Sequence, residues 1–249
     1  MSHPAFLLPG GVMPAELAYG ALVEALGERA DARPKDLELY AGDAPPDDYS
    51  LAHEIAGILG EAEAAGFERF HLAGYSAGGA SALAFAATYP DRLLTLALLE
   101  PAWIGRQRMT TEERELWSEL ERIMELPDAE MMPAFVRLAL RPGVEPAPPP
   151  PGPTPPWMAK RPAGLRAVTR TFQAYELDHD ALRSFEAPVY YALGALSNPV
   201  QYERPAERLA GLFADFTLER FEDRHHFDPP HRAEPERVAA SLLALWDRA

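Results

Sequence analysis

The sequence predicts an α/β fold built on a mostly parallel sheet. Short runs of consecutive apolar residues, at 5–8, 93–99 and 189–193, alternate with stretches of helical periodicity. The runs are apolar on successive residues, as strands covered by helices on both faces must be. With 249 residues, 47% of them apolar, the chain is long enough to bury one such core.

The elements follow in order. Residues 5–8 form the first strand, broken by Pro9, Gly10 and Gly11. Pro14 opens a helix whose inner face carries Leu22, Val23 and Leu26. Residues 37–40 are expected as a second strand, followed by a loop over 43–48 with two prolines. Leu51, Ile55, Leu59 and Ala62 share one helical face, and Gly66 stands where a C-terminal cap belongs. Residues 69–73 form a third strand that runs into GYSAGG (74–79). A helix over 80–89 stops at Pro90, and 93–99 is a fourth strand. The pattern then changes. Thr110 with Glu113 reads as a capping box ahead of an apolar stripe at Leu116, Leu120, Ile123 and Met124. A second helix is expected over 129–140 and a third through Leu165, Val168, Phe172 and Tyr175. Between them, 142–156 is proline-rich and reads as extended or irregular loop. Strands resume at 189–193 and 216–221, and Val238, Leu242, Leu245 and Trp246 mark a closing helix. The expected organisation is therefore a core of 1–101 and 181–249, interrupted by a helical insertion at 102–180 that forms a lid.

Composition narrows the function. Asp and Glu number 38 against 23 Lys and Arg, a net charge of −15, which disfavours nucleic acid and anionic membrane as partners. No apolar run is long enough to span a bilayer and no secretory signal is visible. There are no cysteines, which removes disulfides, thiolate zinc sites and cysteine nucleophiles, and fits a cytoplasmic location.

GYSAGG fits the pattern G-x-S-x-G, and it sits between an expected strand and an expected helix, the setting of a nucleophile elbow. In so tight a turn a Cβ two residues either side of the serine would clash, hence the glycines. The turn lifts the Ser76 hydroxyl above the sheet and aims the Ala77 N–H at a developing oxyanion. Glu100, in LLEPAW, closes the next apolar strand. Parallel strands present their C-terminal ends to one edge, so Ser76 and Glu100 emerge side by side. A histidine cluster, HHFDPPH (225–231), follows the last strand.

With these motifs the chain resembles the α/β-hydrolases over most of its length. It departs from them in a sheet shortened to about six strands, and in Pro9-Gly10-Gly11 where the family often has His-Gly-x. The resemblance implies that Gly11 N–H is the second oxyanion donor, with Val12 the runner-up. Family order places the base after the acid, and His226-Phe227 matches the family's histidine best; His225 and then His231 are alternatives. The family's commonest acid position falls in GALSNP (194–199), which offers Ser197 and Asn198 but no carboxylate. A branch including some haloalkane dehalogenases places its acid where Glu100 stands, so the implied triad is Ser76, Glu100 and His226, with Asn198 at most auxiliary. A serine nucleophile implies acyl transfer on a small-molecule, ester-like substrate: a carboxylic ester, thioester, lactone or, in the same fold, a carbon–carbon bond. A binding protein that has lost turnover is the competing reading. The histidine cluster with Asp228 is also compatible with a metal site, but the prolines after Asp228 break helical spacing and no zinc motif is present, so neither metal nor cofactor is expected. Val12, Tyr75, Trp103, Met109, Met131, Met132, Phe135 and Trp157 are candidates for the substrate wall.

Overall fold

The computed structural model describes residues 2–148 and 152–249; part of the proline-rich stretch, 149–151, lies outside the described residues. Six strands form one sheet: β1 (His3–Leu8), β2 (Ala30–Pro34), β3 (Phe70–Tyr75), β4 (Leu93–Leu99), β5 (Val189–Gly194) and β6 (Phe216–Phe221). Their order is β2-β1-β3-β4-β5-β6 and every pairing is parallel. The ten helices of the described residues are α1 (Ala15–Leu26), α2 (Leu51–Ala65), α3 (Ala77–Thr88), α4 (Thr111–Glu125), α5 (Asp128–Leu138), α6 (Arg161–Ala174), α7 (His179–Arg183), α8 (Pro199–Ala210), α9 (Pro230–Ala233) and α10 (Pro235–Trp246).

The two-residue period of a strand sorts its side chains onto opposite faces. Phe6, Leu8, Leu72, Leu96, Leu98 and Tyr191 point to the face covered by α2, α3 and α8. Ala5, Leu7, Ala73, Ala97, Leu99 and Tyr190 point to the other, where α1 and α10 supply Tyr19, Leu22, Leu242 and Trp246. Burying a Leu or Phe side chain is worth about 1.5–3 kcal/mol each, so these two layers dominate the stability of the sheet.

The expected second strand is corrected. Residues 38–40 form a 3-10 turn, and the strand is Ala30–Pro34. Leu37 and Leu39 are buried, yet they pack under α2 rather than pairing in the sheet. The real strand is polar and half-buried because it lies at the sheet edge, where Pro34 is tolerated. Gly66 ends α2 at φ 70°, and both halves of the Thr110–Glu113 capping box form.

The strand order reverses direction at β1, which sits between β2 and β3. The C-terminal ends of β1 and β3 therefore flank a crevice, the usual ligand position in an open parallel sheet. The loop after β1 is Pro9-Gly10-Gly11 and the turn after β3 is Ser76.

Candidate active site

Ser76 is held at φ 51°, ψ −116°, between β3 and α3. Side chains rarely adopt positive φ, at a cost of about 1–3 kcal/mol, and such strain gathers at functional turns. The neighbouring glycines make the turn possible. A Cβ on Gly78 would lie 2.4 Å from the Leu8 carbonyl oxygen, and one on Gly74 2.3 Å from that of Gly78. Glu100, the first residue after β4, also has positive φ, 46°. Arg108 is the third and last such non-glycine among the described residues, so two of the three are candidate site residues.

These side chains meet. His226 Nε2 lies 3.0 Å from Ser76 Oγ, and His226 Nδ1 lies 3.0 Å from Glu100 Oε2. Glu100 Oε1 accepts the Gly194 N–H at 2.8 Å. Glu100 and His226 are each 1% exposed. A carboxylate on Nδ1 favours the tautomer with its proton there, leaving Nε2 free to accept from the serine hydroxyl. Two tyrosines fix the imidazole. Tyr202 of α8 stacks on it at 4.3 Å with planes 18° apart, and the Tyr75 hydroxyl donates to the His226 carbonyl. Burial, with the Glu100 charge beside them, pushes both phenols far above their usual range, so both stay neutral.

Gly11 and Ala77 adjoin across the crevice: a Cβ on Gly11 would stand 3.8 Å from that of Ala77. Among the described residues neither N–H is given to a protein acceptor. Ala77 is the first residue of α3, where helix N–H groups are unpaired and the helix dipole favours negative charge.

Of the histidines in the 225–231 cluster, only His226 bonds to Ser76 and Glu100. His225 Nδ1 accepts the N–H groups of Phe227 and Asp228 and so shapes the loop, and burial lowers its pKa. His231 is fully buried against Tyr19 and Tyr75, with neither ring nitrogen paired, and burial pushes its pKa down to about 3. Asn198 does not reach the imidazole; it caps α8 through Val200 N–H and donates to the Leu138 carbonyl at 2.8 Å. Among the described residues no three metal-binding side chains converge.

A cavity of about 120 Å³ opens onto Ser76 and His226. Its wall is largely apolar, with Val12, Tyr75, Trp103, Met109 and Phe135 among the lining residues. Met131, Met132 and Trp157 are not. Met131 is fully buried in the core, Met132 packs half-buried against that core, and Trp157 lies beside the Arg161 guanidinium. The cavity is also lined by Trp117 and Tyr202, and by Leu165 and Val168, which periodicity marks as a helix face but not as part of the substrate wall. Tyr202 was legible in principle: Asn198-Pro199 is a helix-start signal that places it on the inner face of α8.

A parallel sheet with a serine, a histidine and a carboxylate linked at its C-terminal edge is the architecture of a large class of hydrolases. The chain belongs to one of them, the alpha/beta hydrolase family, whose model matches residues 6–241. It is 34% identical over 89 residues to the 2-hydroxy-6-oxo-6-phenylhexa-2,4-dienoate hydrolase of Comamonas testosteroni, a match spanning 36% of this chain and only 30% of that enzyme. Among solved structures it is similar to a hydrolase from Pseudomonas aeruginosa, at 20% identity and TM-score 0.74, covering 98% of this chain and 89% of that one. It is similar also to a thermophilic esterase from Thermogutta terrifontis, at 19% identity and TM-score 0.71, covering 100% and 90%. At these identities the structural likenesses show the fold. No helix among the described residues is long and apolar enough to cross a membrane.

Proposed function

We propose that the protein is a serine hydrolase acting on an ester or related acyl bond of a small hydrophobic molecule, in the cytoplasm. The observation that carries this is the unbroken chain Ser76 Oγ–His226–Glu100, with both links at 3.0 Å. His226 Nε2 takes the hydroxyl proton as Oγ attacks the acyl carbonyl. The oxyanion forms against the N–H groups of Gly11 and Ala77. His226 then protonates the leaving alcohol, which departs as the acyl–Oγ ester forms. Water, deprotonated by the same nitrogen, attacks that ester and releases the acid and the free serine. Glu100 holds the imidazole in the working tautomer and offsets its charge while it is protonated.

Residues 102–180 serve in this reading as a lid. Trp103 and Met109, ahead of α4, and Phe135 of α5 close the apolar wall over Ser76. A cavity near 120 Å³ is comparable to one that holds a single benzene ring, so a short or single-ring acyl group fits best. Initial rates on p-nitrophenyl esters of increasing chain length test this: activity is expected to peak at short chains. A second reading, hydrolysis of a carbon–carbon bond, has support from the Comamonas relative, whose named substrate is a 2-hydroxy-6-oxo dienoate with no ester bond. Faster turnover of a vinylogous 2-hydroxy-6-oxo acid than of any ester would favour it.

A further inference from the structure

Gly10 and Gly11 give the loop after β1 a backbone with few restraints of its own. Oxyanion stabilisation needs the opposite, donors fixed before the charge develops. One side chain supplies the restraint: the Tyr40 hydroxyl donates to the Gly11 carbonyl at 2.5 Å. Holding that carbonyl fixes the plane of the Gly11–Val12 peptide and thereby limits how far Gly11, with its N–H, can swing. Burial pushes the Tyr40 pKa up to about 12, so the hydroxyl keeps the proton it donates.

Tyr40 is itself gripped from two directions. It ends the 3-10 turn Glu38–Tyr40, whose Glu38 and Leu39 N–H groups both donate to the buried Glu54 carboxylate at 3.0 Å. From the other side comes α6. Gly164 passes so close that a Cβ there would lie 2.3 Å from the Tyr40 hydroxyl. Arg161, only 4% exposed, lays its guanidinium 3.9 Å from the centre of the Tyr40 ring. Its Nε and Nη1 have no hydrogen-bond partner among the described residues. A buried guanidinium so poorly paired is costly, and the cation–π contact is a specific compensation.

We propose that Tyr40 is a positioning residue for the oxyanion loop, and that Arg161 couples its grip on Gly11 to the seating of α6 over the site. This rests on the serine-hydrolase reading above. It gives α6 a second task besides lining the cavity: the oxyanion donor is held in place only while that helix is docked.

Tyr40→Phe keeps the ring and the Arg161 stack and removes only the hydroxyl. On p-nitrophenyl butyrate kcat is expected to fall about tenfold, less than deletion of an oxyanion donor would cost, because the Gly11 N–H remains but is no longer held. KM should stay within about twofold, since the loss falls on the transition state. Affinity for a trifluoromethyl ketone, whose adduct on Ser76 carries the oxyanion, should drop by the same factor as kcat/KM. Arg161→Gln alone should lower kcat about threefold and add nothing in the Tyr40→Phe background, because it acts through that hydroxyl. Unchanged kcat and ketone affinity in Tyr40→Phe, or full additivity of the two substitutions, overturns the proposal. So does a raised KM with a lowered melting temperature and unchanged kcat, the mark of a packing role. A wild-type protein that neither hydrolyses the ester nor labels at Ser76 with a fluorophosphonate marks failure of the hydrolase reading itself, and the positioning role falls with it.

Discussion

Glu100→Gln isolates the role of the carboxylate, and the structure dictates how the glutamine must sit. One carboxylate oxygen of Glu100 accepts the Gly194 N–H at 2.8 Å and the other faces His226 Nδ1 at 3.0 Å. A glutamine has a single acceptor oxygen. The Gly194 N–H belongs to the buried backbone at the end of β5 and cannot turn away, so it claims that oxygen. The amide NH2 is then left against Nδ1, and the imidazole must move its proton to Nε2, where it can no longer accept from Ser76. Reversal of the tautomer costs about 10⁴ in kcat in a serine protease triad, or about 5 kcal/mol of transition-state stabilisation. The same order is expected here. Asn198→Ala is the control. Asn198 caps α8 and bonds to Leu138, so its loss should cost about 1 kcal/mol of stability and leave kcat within about twofold. The assay is kcat on a short p-nitrophenyl ester for both variants, with urea midpoints for stability. Glu100→Gln retaining a tenth or more of wild-type kcat, or Asn198→Ala losing more than Glu100→Gln, would rule out Glu100 as the acid and return that role to the loop after β5.

Two further predictions concern stability. His231 binds no proton in the folded state until the pH nears 3, whereas unfolded it titrates near 6.5; its folded pKa is depressed, so stability is lost as pH falls from about 6.5 towards 3, on the order of 1.4 kcal/mol per pH unit. His231→Phe should therefore flatten the decline of urea midpoint between pH 6 and 4 by about one proton's worth, and an unchanged slope would contradict the assignment. Gly78→Ala places a methyl 2.4 and 2.5 Å from the carbonyl oxygens of Leu8 and Pro9, backbone atoms that cannot step aside, so a loss of about 3 kcal/mol or more, or failure to fold, is expected in denaturant titration.

What could be read from the sequence follows the physics of each element. The central strands announced themselves because burial on both faces requires near-continuous apolar runs, as in 189–193. The edge strand Ala30–Pro34 did not, because half of its surroundings are solvent and it needs no such run. Its place was given instead to Leu37–Tyr40, apolar residues that serve a turn packed beneath α2. Ser76 and Glu100 were readable because each closes a strand at the same sheet edge. Asn198 serves α8 as its cap rather than the imidazole, and the Asn198-Pro199 helix start is the signal that brings Tyr202 against His226. Tyr40 was beyond reach, since its link to Gly11 joins residues 29 apart through a turn with no sequence signature.

The most direct test of the account is whether Ser76 is an activated nucleophile. Wild-type protein and Ser76→Ala are to be treated with a fluorophosphonate probe and assayed in parallel on p-nitrophenyl butyrate. Stoichiometric labelling and turnover are expected in the wild type, and neither in the variant. Labelling that persists in Ser76→Ala, or a wild type that neither labels nor turns over, would contradict it.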